Sequence, residues 1–401
     1  MRRSVRQTSA GALFRSLIWA GGIGTLLCAA PQGVCADVVS DAAAAILVFP
    51  KIVVDVATPQ IAPPLQIDTL VRISNTSDKP IFIYCFLVNA TPHCINGSGS
   101  CLSSPITCTP RSDCQTEWQE RDFVAQITAR QPIAWLASHG ESICEGPPGG
   151  IPAAPCLPLS QTTPFRGPNG QTNDGSLIVP VPEDPFIGEL KCLAIDANGV
   201  PVERNDLKGE AEIVRSNPGF VDVEGYNAIG IPSVPGTNNG DNVLTLGGAA
   251  AEYSGCPNFL ILDHFFDGAQ DPVSGRTVTT DLTLVPCSED FSTQSPITTT
   301  AQFLLFNEFE QRLSTSRPVT CFEEFHLFDI DRSTTDRSIF SAAVQGTLTG
   351  QTRIRGVADA DQTHGHALLG IAEEFRDGGG TAAFNLHYDG SRPQSDFVYL
   401  P

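Results

Sequence analysis

Hydrophobic residues in this chain recur at every second position, or in short unbroken runs, and hardly ever at helical spacing. Gly, Pro, Asn and Asp punctuate these runs, which is the pattern of an all-β protein. IDTLVRISNTSDKPIFIYCFLVNA (67–90) is the clearest instance. TLVRIS and IFIYCFLV read as strands, and NTSDKP between them carries the turn chemistry of Asn, Ser, Asp and Pro. DFVAQITARQPIAWLAS (122–138) and PFIGELKCLAID (185–196) extend the set. Residues 139–182 break the alternation, and their Pro and Gly content reads as a long surface insertion. GIPSVPGTNNGDN (230–242) reads as a domain boundary. Strands resume at 258–266, 276–287, 299–314, 319–330, 344–357, 366–375 and 381–389, the last two facing each other across RDGGG. That number of strands fits one sandwich or barrel. The expected fold is therefore two sandwich-like domains, immunoglobulin-like or jelly-roll-like: 37–235, carrying the insertion at 139–182, and 243–401.

A resemblance accompanies this pattern. KIVVDV, TLVRISNTSDKPIFIYCFLV and FVAQITARQPIAW, within residues 51–138, resemble the strand order of exported immunoglobulin-like sandwich proteins of bacteria. The Cys…Trp…Cys signature of antibody domains is missing. The resemblance implies a scaffold for adhesion, structure or ligand binding, and no catalytic residue.

The first 36 residues read as a secretory signal peptide. Arg2, Arg3, Arg6 and Arg15 precede the apolar run SLIWAGGIGTLL (16–27), which is too short to span a bilayer. GVCA then places small residues before a cleavage point after Ala36. The mature chain is expected in the periplasm, outside the cell or on its surface. No later run reaches the ~18 apolar residues of a spanning helix. The chain holds 24 basic and 44 acidic residues, a net charge of −20; once the four leader arginines are gone it stands at −24. That excludes nucleic acid and anionic lipid as partners, and leaves cell-surface, glycan or protein partners.

Export changes the meaning of the cysteines. Thirteen are present, and Cys28 and Cys35 belong to the leader. Eleven remain: Cys85, Cys94, Cys101, Cys108, Cys114, Cys144, Cys156, Cys192, Cys256, Cys287 and Cys321. No CxxC occurs, and the gaps between Cys85 and Cys114 are too long for two thiolates to grip zinc from one turn, so these are disulfide candidates. An odd number leaves at least one thiol outside the set. Cys287 and Cys321, near the ends of neighbouring strands, are the expected pair; Cys144 and Cys156 would pin the insertion.

Three constellations are candidate chemistry. If Arg312 pairs with Val319, Glu308 falls opposite Glu323, a carboxylate pair for glycosidic chemistry or calcium, with Trp118 or Trp135 as a sugar-stacking platform. The plainer reading of that acidic face is protection against edge-to-edge pairing. Asp329, Asp331 and Asp336, with DADQT (359–363), offer hard oxygen ligands that would suit a structural calcium ion, although Asp, Ser and Thr also favour turns. His364, His366 and Glu373, flanked by Gly356 and Gly378, are similar to the first metal motif of cupins, with longer gaps than that family uses. The resemblance implies a metal-dependent β-barrel enzyme. No GxSxG elbow, P-loop or HExxH is present. Asn75, Asn89 and Asn96 begin glycosylation triplets. The reading that follows is an exported, disulfide-stabilised, acidic β protein with a structural or binding role and no evident catalytic site. The alternatives are the cupin-like enzyme and a carbohydrate-binding or carbohydrate-active protein.

Overall fold

Ile81–Asn89 is buried at every position, because both of its faces are covered. Ile81, Ile83, Cys85 and Leu87 point into one apolar core, and Phe82, Tyr84, Phe86 and Val88 point into another. A strand at the middle of a layered structure must be apolar without interruption, which is what IFIYCFLV provides. The computed structural model describes residues 38, 41–57, 65–94, 101, 114–116, 118–142, 165–166, 172–173, 177–333, 337–357 and 365–401. Residues 1–36, expected to be a leader, lie outside the described residues.

The chain is all-β, 59% strand and 3% helical, and its sheets are arranged as a five-bladed β-propeller. Two sandwich domains, immunoglobulin-like or jelly-roll-like, are therefore not what the alternation encodes. Blade 1 runs Ile229–Ile231, Ile46–Val54, Phe186–Ile195, Ile81–Asn89, Gln119–Ile127, in that spatial order. Blade 2 runs Phe220–Asn227, Leu207–Asn217, Gln66–Asn75, Pro132–Leu136. Blade 3 is small: Val243–Leu246, Asp396–Tyr399, Glu289–Asp290. Blade 4 runs Arg312–Thr320, Thr298–Asn307, Thr349–Val357, Pro257–Phe265, His387–Ser391, and blade 5 Glu323–His326, Val278–Pro286, Leu368–Arg376, Thr381–Asn385. The strands of 51–138 that resemble an immunoglobulin-like sandwich are divided between blades 1 and 2.

Three cores hold the blades face to face. Phe49, Phe123 and Phe186 of blade 1 pack with Ile73 and Ile213 of blade 2. Blade 1's opposite face packs with Leu244, Leu246 and Val398 of blade 3 and with Val285 and Leu369 of blade 5. Phe303 and Leu305 of blade 4 meet Leu282, Leu284 and Ala372 of blade 5 in the third core. Each fully buried Phe or Leu contributes about 1.5–3 kcal/mol of burial free energy. Ala36–Pro401 forms one compact unit. Blades 1 and 2 take their strands from before residue 232, and blades 3 to 5 from after 242.

The strand sequence matches expectation most closely near the C-terminus. Leu368–Arg376 and Thr381–Asn385 pair as a hairpin, Phe375 opposite Thr381, across the glycine turn. Elsewhere long runs are cut. The expected strand 299–314 turns back at 307–311, and 319–330 divides into the end of one strand, a four-residue strand and the helix Leu327–Ile330. Within the insertion, Glu141–Ser142 pairs with Leu177–Ile178, and Phe165–Arg166 with Thr172–Asn173.

Candidate functional site

The carboxylate pair does not form. Phe306 is opposite Arg312 and Thr299 opposite Val319, so the turn sits at 307–311. Glu308 lies in that turn, where its Oε1 accepts from Thr349 N at 2.9 Å and Thr349 Oγ1 at 2.8 Å. Those bonds hold its carboxyl below the usual range. Glu323 lies in a different blade, opposite Leu284, and burial pushes its carboxyl up. Trp135 is buried in the core, edge-on to Phe123 at 6.3 Å, and Trp118 packs partly buried against another core. Neither stands free as a sugar platform.

The metal constellations also come apart. Glu373 is buried in blade 5, seven positions along an extended chain from His366, about 20 Å at strand rise, so the two cannot share an ion. His364 lies outside the described residues. Asp331 uses both carboxylate oxygens locally: Oδ1 accepts from Ser333 N and Oδ2 from Ile339 N, each at 3.0 Å. Asp329 sits in the short helix, its carbonyl accepting from Arg317 at 3.1 Å. Asp336 and 359–363 lie outside the described residues. Asn75 and Asn89 are buried, which closes both to a glycan; Asn96 is outside the described residues.

Disulfides join Cys85 to Cys192, Cys101 to Cys114 and Cys256 to Cys287. Cys94 is also disulfide-bonded. The expected Cys287–Cys321 pair is replaced: Cys321 is a buried free thiol, pushed up by burial. Cys108, Cys144 and Cys156 lie outside the described residues.

What the sequence reading missed is a set of buried charges that tie the blades together. Lys51, in the middle of ILVFPKIVV, is 2.6 Å from Glu324 and also bonds Glu373, both of blade 5. Arg215 of blade 2 reaches Glu373 at 3.0 Å and pairs with buried Glu224. Burial alone would raise the Glu373 carboxyl, but Lys51 and Arg215 hold it below the usual range. Lys191, in FIGELKCLAI, is 3.1 Å from Glu189, 3.2 Å from Glu289 of blade 3 and 3.0 Å from the Pro286 carbonyl. Two buried carboxylates face one ammonium, and burial raises both. Burial, with Glu289 beside it, pushes Glu189 up to about 8 against the pull of Lys191. A lysine inside an apolar strand was the available signal, and two of the chain's four lysines sit this way. Except for the partly exposed Glu324 and Arg215, these groups are buried, and they join one blade to another, which is an architectural role.

An open polar feature is a cavity of about 610 Å³ against blade 4. Phe306, Gln351 and Asp263 form one row across three adjacent strands, and neighbouring Cβ atoms in such a row are about 5 Å apart. Glu308, Thr349 and Phe265 line the cavity beside that row, and Glu374 reaches it from blade 5. Asn307 fixes the turn: its Oδ1 accepts from Phe309 N and Gln311 N, and its Nδ2 donates to Gln345 at 3.0 Å. His264 is buried, bonded to Thr352 Oγ1 and the Phe265 carbonyl, and burial lowers it to about 4, so it is neutral. Among the described lining residues there is no lysine or arginine.

Among the described residues no group of His, Cys, Asp and Glu is arranged to hold a metal ion, and no helix is long and apolar enough to cross a membrane. No protein-family model matches the chain, and no curated protein matches its sequence.

Proposed function

We propose that this is an exported, disulfide-stapled binding protein whose ligand sits in the blade 4 cavity. The observation that carries the reading is the cavity itself. Its volume falls in the ~300–1,000 Å³ range of small-molecule sites, and it combines aromatic walls with a few fixed polar groups. A catalytic reading finds less support. Glu308 gives one oxygen to Thr349, His264 is buried and neutral, and the buried carboxylates of Glu373 and Glu189 are paired with Lys51, Arg215 and Lys191. The acidic surface and the arginine-rich leader agree with an exported soluble role.

The test is Gln351→Trp, which places an indole in the cavity from an exposed strand position. Ligands from a fragment and glycan screen, followed by nuclear magnetic resonance, should lose binding to the variant while its melting temperature stays within a few degrees. Ligands that bind the variant as they bind the parent protein would place the site elsewhere and overturn the proposal.

A further inference from the structure

Side-chain donors around the blade 4 cavity are bonded within the protein, whereas two of its carboxylate oxygens are not. Gln351 Nε2 donates to Asp263 Oδ1 at 2.9 Å, Thr349 gives both its N–H and its hydroxyl to Glu308 Oε1, and Asn307 Nδ2 is held by Gln311 and Gln345. Among the described residues, Asp263 Oδ2 and Glu308 Oε2 keep open lone pairs, and neither carboxylate has a salt-bridge partner. Glu374 is neutralised by Arg376 at 2.5 Å. The wall beside the two open carboxylates is aromatic, Phe306 and Phe265.

We infer that this cavity takes an organic cation, an ammonium group carried on an aromatic body. The inference rests on the proposed binding role of the same cavity. A neutral polyol needs donors and acceptors from its site in comparable number, whereas this lining offers chiefly acceptors. A cation is drawn to an unpaired carboxylate and gains from the negative faces of aromatic rings. The roughly 10 Å from Phe306 across Gln351 to Asp263 fits an aryl group joined to an ammonium by a short linker.

The probe is benzyltrimethylammonium, titrated by calorimetry beside benzyl alcohol, its neutral counterpart, and N-acetylglucosamine. The cation should bind at least tenfold more tightly than either neutral molecule. Asp263→Asn/Glu308→Gln should weaken it at least tenfold, and Gln351→Trp should abolish it. Four results would overturn the inference. Benzyl alcohol binding as well as the cation would show that charge is not read. Cation binding that survives Gln351→Trp would assign it to the acidic surface at large. N-acetylglucosamine binding that is lost in Gln351→Trp, without cation binding, would sink the cation and leave the cavity's binding role standing. Binding of none of the three would refute the cation class, and the fragment screen would then decide the role of the cavity separately.

Discussion

Arg215 and Glu373, 158 positions apart in the chain, meet at 3.0 Å in a site where the Glu373 side chain is 1% exposed. Lys51 bonds the other oxygen of the same carboxylate. One glutamate of blade 5 thus ties blades 1 and 2 to its own. Glu373→Gln would remove the carboxylate that two cations share and leave each with one partner, Glu324 or Glu224, so the cost should be below the about 3–5 kcal/mol of stranding a buried charge outright. The urea midpoint should fall accordingly. Lys51→Met combined with Glu373→Gln should lose less than the two single losses summed, since the double variant removes a charge that has lost a partner. An unchanged midpoint in Glu373→Gln would show the network to be energetically idle.

The second buried cluster makes stability depend on pH. Glu189 is raised to about 8 by burial, as is Glu120, and the folded state therefore binds protons that the unfolded state releases near 4.5. Stability from these groups is fully present below 4.5 and is lost as pH rises through 8. His326 acts in the same direction. Bonded by Asp267 and Asp281, it is raised to about 10, so its contribution is complete below 6.5 and disappears as pH approaches 10. Urea midpoints should decline steadily from pH 5.5 to 9.5. A midpoint that rises across this window would contradict the buried assignment, and Glu189→Gln should flatten the lower part of the slope.

How much of this was legible depends on what each residue reports. The RDGGG hairpin was legible because permissive glycines fix a turn locally. The arrangement of blades was not, because alternation says that a sheet has one buried face and not what covers it. The Glu308–Glu323 expectation failed over one turn. Ser316-Arg317-Pro318 reads as turn chemistry, yet Arg312–Thr320 is an edge strand, where proline is tolerated. The turn instead forms at Asn307, whose side chain accepts two backbone N–H groups, with Glu310 at φ 60°. Glu308 still belongs to the candidate site, for a different reason than its spacing suggested. Asp263 and Gln351 could not be found locally, since only the register between separate strands sets them beside Phe306.

Cys321 should be silent in the native protein. It is 3% exposed, and burial pushes its thiol well above the usual range, so thiolate is scarce at neutral pH. Iodoacetamide applied to folded protein should leave Cys321 unmodified, and the same reagent in denaturant should alkylate it. Peptide mapping without reduction should recover Cys256 linked to Cys287. A Cys287–Cys321 peptide from untreated protein would refute the pairing described above.

The disulfides should differ in worth according to the chain they close. Cys85 and Cys192 are cross-strand neighbours in blade 1 that close a separation of 107 residues, whereas Cys101 and Cys114 close only 13. Loop-closure entropy grows with the logarithm of length, giving about 4–5 kcal/mol for the long loop and about 3 for the short one before native-state effects. The native state widens the gap. Cys85 and Cys192 are both fully buried in the core between blades 1 and 2, so their removal also leaves unfilled volume, while Cys114 is only partly buried. Cys85→Ala/Cys192→Ala should therefore lower unfolding free energy more than Cys101→Ala/Cys114→Ala, by at least about 1 kcal/mol in urea titrations at matched pH. The reverse order would mean that the unfolded chain already holds Cys85 near Cys192, and that the pairing of their two strands precedes the bond instead of depending on it.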